Sequence, residues 1–178
     1  WLVRMVENLL SVTRVDAATV RLSKNGTVLE ELIDAVLVKF RKHYPDIDVH
    51  VEIPEEFVSI PMDAMLISQV LMNLLENAVF HAKDMENLRL RVEVKGSWAY
   101  FYVEDDGCGI PEEKLSRLFT GMLDSEAPTD QSRSSMGIGL SVCSAIIKAH
   151  GGEIWANKRA GGGTEVGFRL EMEDENGE

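Results

Sequence analysis

The chain has 178 residues, enough for one domain with a substantial core. Hydrophobic residues make up 45% and charged residues 27%, which is ordinary for a globular protein, and no apolar run approaches the roughly 18 to 20 residues of a membrane-spanning helix. The net charge of −12 argues against nucleic acid or an anionic membrane as a partner, because both need a basic surface. The first residue is Trp1, so we expect a part of a longer protein. Cys108 and Cys143 have neither CxxC nor zinc spacing, which favours a reduced, cytosolic setting.

The first half of the chain is predicted to be mostly helical. Residues 1–15 place apolar side chains at the three- and four-residue steps of an amphipathic helix. Residues 27–44 predict a second helix, with Thr27 as N-cap and Glu30 as its capping-box partner. Residues 48–54 alternate as a strand, and residues 62–82 form a long, largely apolar helix.

The second half predicts two hairpins and a buried helix. The strands are predicted at residues 88–94, 98–105, 152–157 and 164–172, and the buried helix at residues 139–150. Residues 124–135 are polar and show neither the period of a helix nor the alternation of a strand, which predicts a loop. The whole predicts an α/β (α+β) fold: a two-layer sandwich of a mixed, largely antiparallel sheet with helices on one face.

Two amides interrupt the apolar helix at residues 62–82. Asn73 and Asn77 are four residues apart and therefore share a face, with Glu76 and Phe80 beside them. Buried amides are costly unless they are bonded to something. They could bond to neighbouring backbone, or their oxygens could hold a hard cation such as Mg²⁺.

Adjacent carboxylates precede two glycines in the stretch VEDDGCGIPEE. Asp105 closes a hydrophobic strand, and Gly107 and Gly109 allow a sharp turn or close contact with a flat ligand. An EF-hand is excluded, because the oxygen ligands do not continue after Asp106. A tight turn and a nucleotide pocket both remain open.

Two further glycine clusters follow. Gly137 and Gly139 are predicted to open a helix, whose first-turn N–H groups would attract an anion without any lysine; an ordinary N-cap turn is the alternative. No GxxxxGK[ST] motif occurs, so a P-loop is excluded. The glycines at residues 161–163 lead through Thr164 into a strand, and taken alone they indicate a hairpin turn.

The order and spacing of these four motifs resemble the N box and the three glycine boxes of the GHKL ATPases over residues 27–170. Within that superfamily, QVLMNLLENAVFHA, YVEDDGCGIPEEKLSRLF and GIGLSVCSAIIKAHGGEIWA are similar to the ATP-binding catalytic domain of sensor histidine kinases. The resemblance implies a Bergerat-type fold that binds Mg·ATP. It divides the chain into the end of a dimerisation helix (residues 1–18), the catalytic domain (19–172) and a disordered acidic tail (173–178).

The resemblance also implies a role for each motif residue. Asn77 would ligate Mg²⁺ with Asn73 beside it near the phosphates, and Asp105 would accept a hydrogen bond from the adenine amine. The other cofactor-binding residues would be His81 at the ribose, Gly107, Gly109, Ile110 and Thr164 at the base, and Gly137, Gly139 and Leu140 at the phosphates.

The chain departs from that family at three places. Phe80 stands where a phosphate-contacting Lys or Arg is usual, so Arg133 is the candidate to supply this charge. Met122 replaces a phenylalanine, and Ser135 replaces a glycine. Residues 120–136 are expected to form a mobile lid over the nucleotide.

None of the four histidines has the acidic neighbour of a phosphoacceptor. The resemblance therefore implies that the γ-phosphoryl group goes to a histidine on a dimerisation domain of the same parent, with a response regulator downstream. The parent would be a homodimer and a membrane-anchored sensor with this domain in the cytoplasm. A chaperone or DNA-transaction ATPase is an alternative, although Asn73 stands where its glutamate is expected. The second alternative is a non-catalytic module that binds a nucleotide.

Overall fold

A computed structural model describes residues 22–115, 117–119 and 131–172, with the backbone alone for residues 131–138. The predicted dimerisation helix (residues 1–18) and acidic tail (173–178) lie outside the described residues, and so do residues 120–130 of the expected lid. The elements are β1 (Asn25–Val28), α1 (Leu29–His43), β2 (Val49–Glu52), β3 (Ser59–Met62), α2 (Ala64–His81), β4 (Leu88–Lys95), β5 (Trp98–Asp105), α3 (Glu112–Leu115), α4 (Gln131–Ala149), β6 (Glu153–Lys158) and β7 (Thr164–Glu171). No helix in these ranges is long and apolar enough to cross a membrane.

A five-stranded sheet in the order β2-β4-β5-β7-β6 carries the fold. β2 pairs in parallel with β4, and the other three pairings are antiparallel. The β4–β5 hairpin turns through Gly96, whose φ of 60° suits a two-residue turn between Lys95 and Trp98. The predicted mixed, largely antiparallel sheet is confirmed.

The two faces of the sheet differ in the way that the alternation of β5 predicts. Ala99, Phe101 and Val103 are buried in the core with apolar residues of α1, α2 and α4, and Phe101 stacks on Phe168 with 4.6 Å between ring centroids. The intervening residues Tyr100 and Tyr102 lie on the other face, where both contact Trp155 edge-on. The helices therefore cover one face of the sheet, as predicted.

The start of α1 differs from the prediction. The N-cap is Val28, without a side-chain hydrogen bond, and the hydroxyl of Thr27 donates to the carbonyl of Asn25 (3.1 Å). The capping box is wrong because β1 pairs with β3, a small sheet that the turn-rich sequence did not suggest. This pairing continues into the helix, where the N–H of Leu29 donates to the carbonyl of Val58 (2.9 Å).

The start of α4 also differs. The helix begins at Gln131, so residues 131–135 are helical where a loop was predicted, and Gly137 and Gly139 lie inside the helix and do not open it. Gln131, Arg133 and Met136 are good helix formers, and no proline interrupts the chain between Gln131 and Ala149. Two glycines cost the helix about 1 kcal/mol each, which does not end it.

A buried histidine connects the ends of two helices. The ring nitrogen Nε2 of His150, after the end of α4, accepts the main-chain N–H of Asp63, the N-cap of α2, at 3.1 Å. Its Nδ1 lies 2.8 Å from the carbonyl of Ile146 and must therefore carry the proton. Burial lowers the pKa of His150, which keeps the ring neutral in this arrangement.

Candidate functional site

One cleft brings together seven of the twelve residues that the sequence singled out. It lies among the C-terminal half of α2, the end of β5, the start of β7 and α4. The seven are Asn77, His81, Asp105, Gly109, Ile110, Leu140 and Thr164. Asn73 is buried one helical turn before Asn77. Gly139 directly precedes the lining residue Leu140, and Gly107 lies in the loop between the lining residues Asp105 and Gly109. For Arg133 and Gly137 the structure describes only the helical backbone.

Asp105 is the buried carboxylate of this cleft, with 7% of the residue exposed. Its Oδ1 accepts the main-chain N–H groups of Gly107 (3.0 Å) and Thr164 (3.3 Å). Burial raises the pKa of Asp105, and the two N–H groups and the charge of Arg159 act against that rise. The carboxylate is therefore held through one oxygen, while the other receives no hydrogen bond from the described residues.

The glycines around Asp105 are required by close packing within the protein. A Cβ on Gly107 would come within 2.7 Å of the side chain of Ala82, just beyond α2. Gly109 has a φ of 72° and lies against the carbonyl of Gly163. The absence of a side chain therefore lets the loop after β5 pack against the end of α2 at Gly107 and against the turn before β7 at Gly109.

Asn77 is the second unusual buried group. The residue is 7% exposed, and its Nδ2 has no hydrogen-bond partner among the described residues. A buried amide left in this way costs free energy unless something else binds it. The carboxamide also suits Mg²⁺, which takes oxygen ligands, needs only one or two from the protein, and otherwise keeps water and substrate phosphate oxygens.

The α4 side of the cleft combines an apolar wall with open backbone. Leu140 is buried and belongs to the core, so it fixes the helix against the rest of the domain. A Cβ on Gly139 would meet no atom of another described segment within 4 Å. Packing among the described residues therefore does not require a glycine at position 139.

Sequence reasoning missed two residues that hold the site. Arg159, in the turn after β6, donates from Nη1 to the main-chain carbonyl of Asp105 (2.7 Å). Asp106 accepts hydrogen bonds from the main-chain N–H (2.8 Å) and side-chain amide (2.6 Å) of Asn87 and from the main-chain N–H of Glu86 (2.9 Å). These hydrogen bonds, with those of Asn87 first, lower the pKa of the Asp106 carboxyl group. The two adjacent aspartates therefore have different roles: Asp105 faces the cleft, and Asp106 holds the loop after α2 through hydrogen bonds. Nothing in the local sequence distinguished Arg159 from an ordinary surface arginine.

Phe80 does not line this cleft. Its side chain is 54% exposed and contacts Tyr44 edge-on, with 6.0 Å between ring centroids. It lines a separate, open cleft with Ile47 and Met85. Phe80 therefore neither supplies nor blocks the contact that a basic residue would make at that position.

Comparison with known proteins identifies the family. A family model described as histidine kinase-, DNA gyrase B-, and HSP90-like ATPase matches residues 62–174, well over half of the chain. The chain belongs to this ATPase family. A curated relative, the sensor protein KdpD of Clostridium acetobutylicum, is 32% identical over 173 residues, which cover 97% of this chain and 19% of the relative. The chain thus spans about a fifth of that protein.

Solved structures place the chain within the family. The catalytic domain of histidine kinase ThkA is 28% identical with a TM-score of 0.69, over 85% of this chain and 96% of that one. ThkA in complex with the response regulator TrrA aligns with a TM-score of 0.78 at 26% identity, over 98% of this chain and 49% of that one. The chain is a catalytic ATPase domain of the histidine kinase type.

Proposed function

We propose that the cleft binds Mg·ATP and that the domain donates the γ-phosphoryl group to a histidine on a dimerisation domain of the same parent protein. The observation that carries this proposal is the state of Asp105. It is a buried carboxylate whose Oδ1 is held by two main-chain N–H groups, with Oδ2 left without a partner in the described residues. A carboxylate held in this way is suited to accept one more hydrogen bond from a ligand.

Asp105 would recognise the base. The adenine amine is a donor and suits the remaining carboxylate oxygen, whereas guanine carries an acceptor at the corresponding position. Thr164 and Ile110 line the same cleft and would pack against the base, with Gly107 and Gly109 keeping the loop close to it. His81, at the end of α2, would contact the ribose.

Asn77 would hold Mg²⁺ through its carboxamide oxygen, with Asn73 beside it near the phosphates. Bound there, Mg²⁺ would neutralise charge that develops on the β- and γ-phosphates. Gly139 would let phosphate approach α4, which Leu140 anchors, and Gly137 and Arg133 would contribute from the preceding turns. Capture by main-chain N–H groups at Gly137 would require α4 to begin later than Gln131, since those groups are otherwise used within the helix.

The parent protein would be a homodimeric, KdpD-like sensor, anchored in the membrane, with this domain in the cytoplasm and a response regulator as the downstream partner. The likeness to KdpD and to the ThkA–TrrA complex supports this assignment. Residues 1–18 would be the end of the dimerisation helix, residues 19–172 the catalytic domain, and residues 173–178 a disordered tail. The net charge of −12 supports the absence of nucleic acid among the partners.

Transfer in trans tests the proposal. The chain is mixed with a separately produced dimerisation domain that carries the acceptor histidine, and radiolabel from γ-labelled ATP is followed. We expect slow, acid-labile labelling of the acceptor, slow because the tether that raises the effective concentration is missing. Asn77→Ala should abolish the labelling. No label with the unchanged chain, despite ATP binding and contact with the acceptor domain, would contradict the kinase function.

A non-catalytic nucleotide-binding module is the second candidate. The observation that favours it is Phe80, which stands away from the cleft and carries no charge for the phosphates. This module would bind Mg·ATP and label no acceptor. The same transfer experiment therefore separates the two functions.

A further inference from the structure

We propose that Arg159 is a positioning residue that sets the purine specificity of the cleft, by holding the end of β5 so that Asp105 presents an acceptor to the base. This inference rests on the proposed binding of ATP and adds a residue outside the motifs. Arg159 makes no contact with the base in this scheme. It acts through Asp105.

The geometry ties Arg159 to both sides of the site. Its main-chain N–H donates to the carbonyl of Gly163 (3.1 Å), and its own carbonyl accepts the N–H of Gly162 (3.2 Å), which closes the turn between β6 and β7. Its guanidinium then reaches across to the carbonyl of Asp105 (2.7 Å). The next residue after that turn, Thr164, donates its N–H to the Asp105 carboxylate. Backbone and carboxylate of Asp105 are thus both bound to one turn.

The charges around Asp105 give Arg159 a second effect. Burial raises the pKa of the Asp105 carboxyl group, Asp106 adds to the rise, and Arg159 opposes it. His81 is the titratable group that α2 contributes to the same cleft. Removing the positive charge of Arg159 would therefore raise the pKa of Asp105 further and let it bind a proton at a higher pH.

Protonation would change what Asp105 recognises. The ionised carboxylate only accepts hydrogen bonds, whereas the protonated acid can donate one. Adenine offers an amine donor and guanine a carbonyl acceptor at the matching position. An Asp105 that is displaced or protonated should therefore lose affinity for ATP and lose its discrimination against GTP. A side chain with a merely structural role would not link these two changes to pH.

The test measures binding of Mg·ATP and Mg·GTP by calorimetry across a pH series. Three variants separate the contributions: Arg159→Ala loses charge and hydrogen bond, Arg159→Gln keeps a donor, and Arg159→Lys keeps the charge. Lys158→Ala, an exposed neighbour with the same change of charge, is the matched control, and thermal unfolding confirms that each variant is folded.

For Arg159→Ala we expect a fall of about tenfold in the ATP-to-GTP affinity ratio. The pH at which ATP binding is lost on acidification should rise by about half a unit or more, and Arg159→Lys should restore much of that shift. The inference is overturned if the Arg159 variants match Lys158→Ala in both ratio and pH profile. If Arg159→Ala does not fold, the affinity ratio and the pH profile of Arg159→Gln and Arg159→Lys test the inference in the same way. Failure of the unchanged chain to bind ATP at any pH would overturn the proposed function itself.

Discussion

The backbone of Gly163 lies directly against the carbonyl group of Asp105, with no room for a side chain between them. A Cβ on Gly163 would collide with the Asp105 carbonyl oxygen. The φ of Gly163 is 87°, a backbone conformation that residues with a side chain rarely adopt. The turn before β7 therefore fixes the position of the carboxylate that the base is expected to contact.

Gly163→Ala should both destabilise the fold and weaken ATP binding. The positive φ alone costs about 1 to 2 kcal/mol, and the collision adds to that by displacing Asp105. Gly161→Ala is the matched control, because Gly161 has a similar φ of 92° but no described atom within 4 Å of an added Cβ. Denaturant unfolding and ATP titration of both variants are the measurements. Equal effects in the two would show that contact with Asp105 is unimportant.

Asn77→Ala should remove Mg²⁺-dependent ATP binding without loss of fold. The substitution removes a buried Nδ2 that has no partner in the described residues, so little stability should be lost, within about 1 kcal/mol. Alanine also suits a helix interior. Thermal unfolding and ATP titration with and without Mg²⁺ test this. A variant that still binds Mg·ATP with full affinity would remove Asn77 from the metal site.

Gly139→Ala should have opposite effects on stability and on binding. The added methyl group meets no atom of another segment within 4 Å in the part of the chain that the structure describes. Alanine in a helix interior is more stable than glycine by about 0.5 to 1 kcal/mol. If phosphate approaches the backbone at this point, the same methyl group obstructs it. We therefore expect a higher unfolding midpoint with weaker ATP binding, and unchanged ATP affinity would show that phosphate binds elsewhere.

The stability of the domain should fall on mild acidification because of His150. Burial lowers the pKa of His150 from the usual 6.5. The hydrogen bond to the carbonyl of Ile146 opposes this shift, the charge of Lys24 adds to it, and the charge of Asp63 opposes it. The unfolded chain therefore binds a proton that the folded chain does not. The contribution of His150 is complete above about pH 6.5 and is lost as the pH falls toward the folded-state pKa.

His150→Gln tests this pH dependence. The glutamine oxygen can accept the N–H of Asp63 but does not titrate. The free energy of unfolding, followed between pH 7 and pH 5, should fall less steeply in His150→Gln than in the unchanged chain. An identical slope in His150→Gln would rule out this histidine as the cause.

Periodicity predicted the elements that build the core. The alternation of β5 and the apolar pattern of α2 gave the correct layers, because burial of one face is what those patterns encode. β1 and β3 were missed, because short pairings distant in sequence leave no local period. The start of α4 was also wrong, because Gly137 and Gly139 disfavour a helix by only about 1 kcal/mol each, which does not end a helix that contains no proline.

The sequence predicted those residues of the site that belong to recognisable motifs. The sequence singled out the seven residues that the structure brings together in one cleft, Asp105 and Thr164 among them. Their roles stay predictions. Arg159 was not predictable, since its contact with Asp105 joins positions 54 residues apart through one side chain in a turn. Such a contact depends on the register of β5 with β7, which sequence patterns alone do not specify.

Calorimetric titration of Mg·ATP into the unchanged chain and into Asp105→Asn tests whether the Asp105 carboxylate recognises the base of ATP. The asparagine oxygen can still accept the N–H groups of Gly107 and Thr164, while its amide replaces the second carboxylate oxygen by a donor that opposes the adenine amine. We predict one site that requires Mg²⁺ in the unchanged chain, and an affinity lower by roughly 10- to 100-fold in the folded variant. Equal affinity of the two proteins for Mg·ATP would contradict recognition of the base by the Asp105 carboxylate.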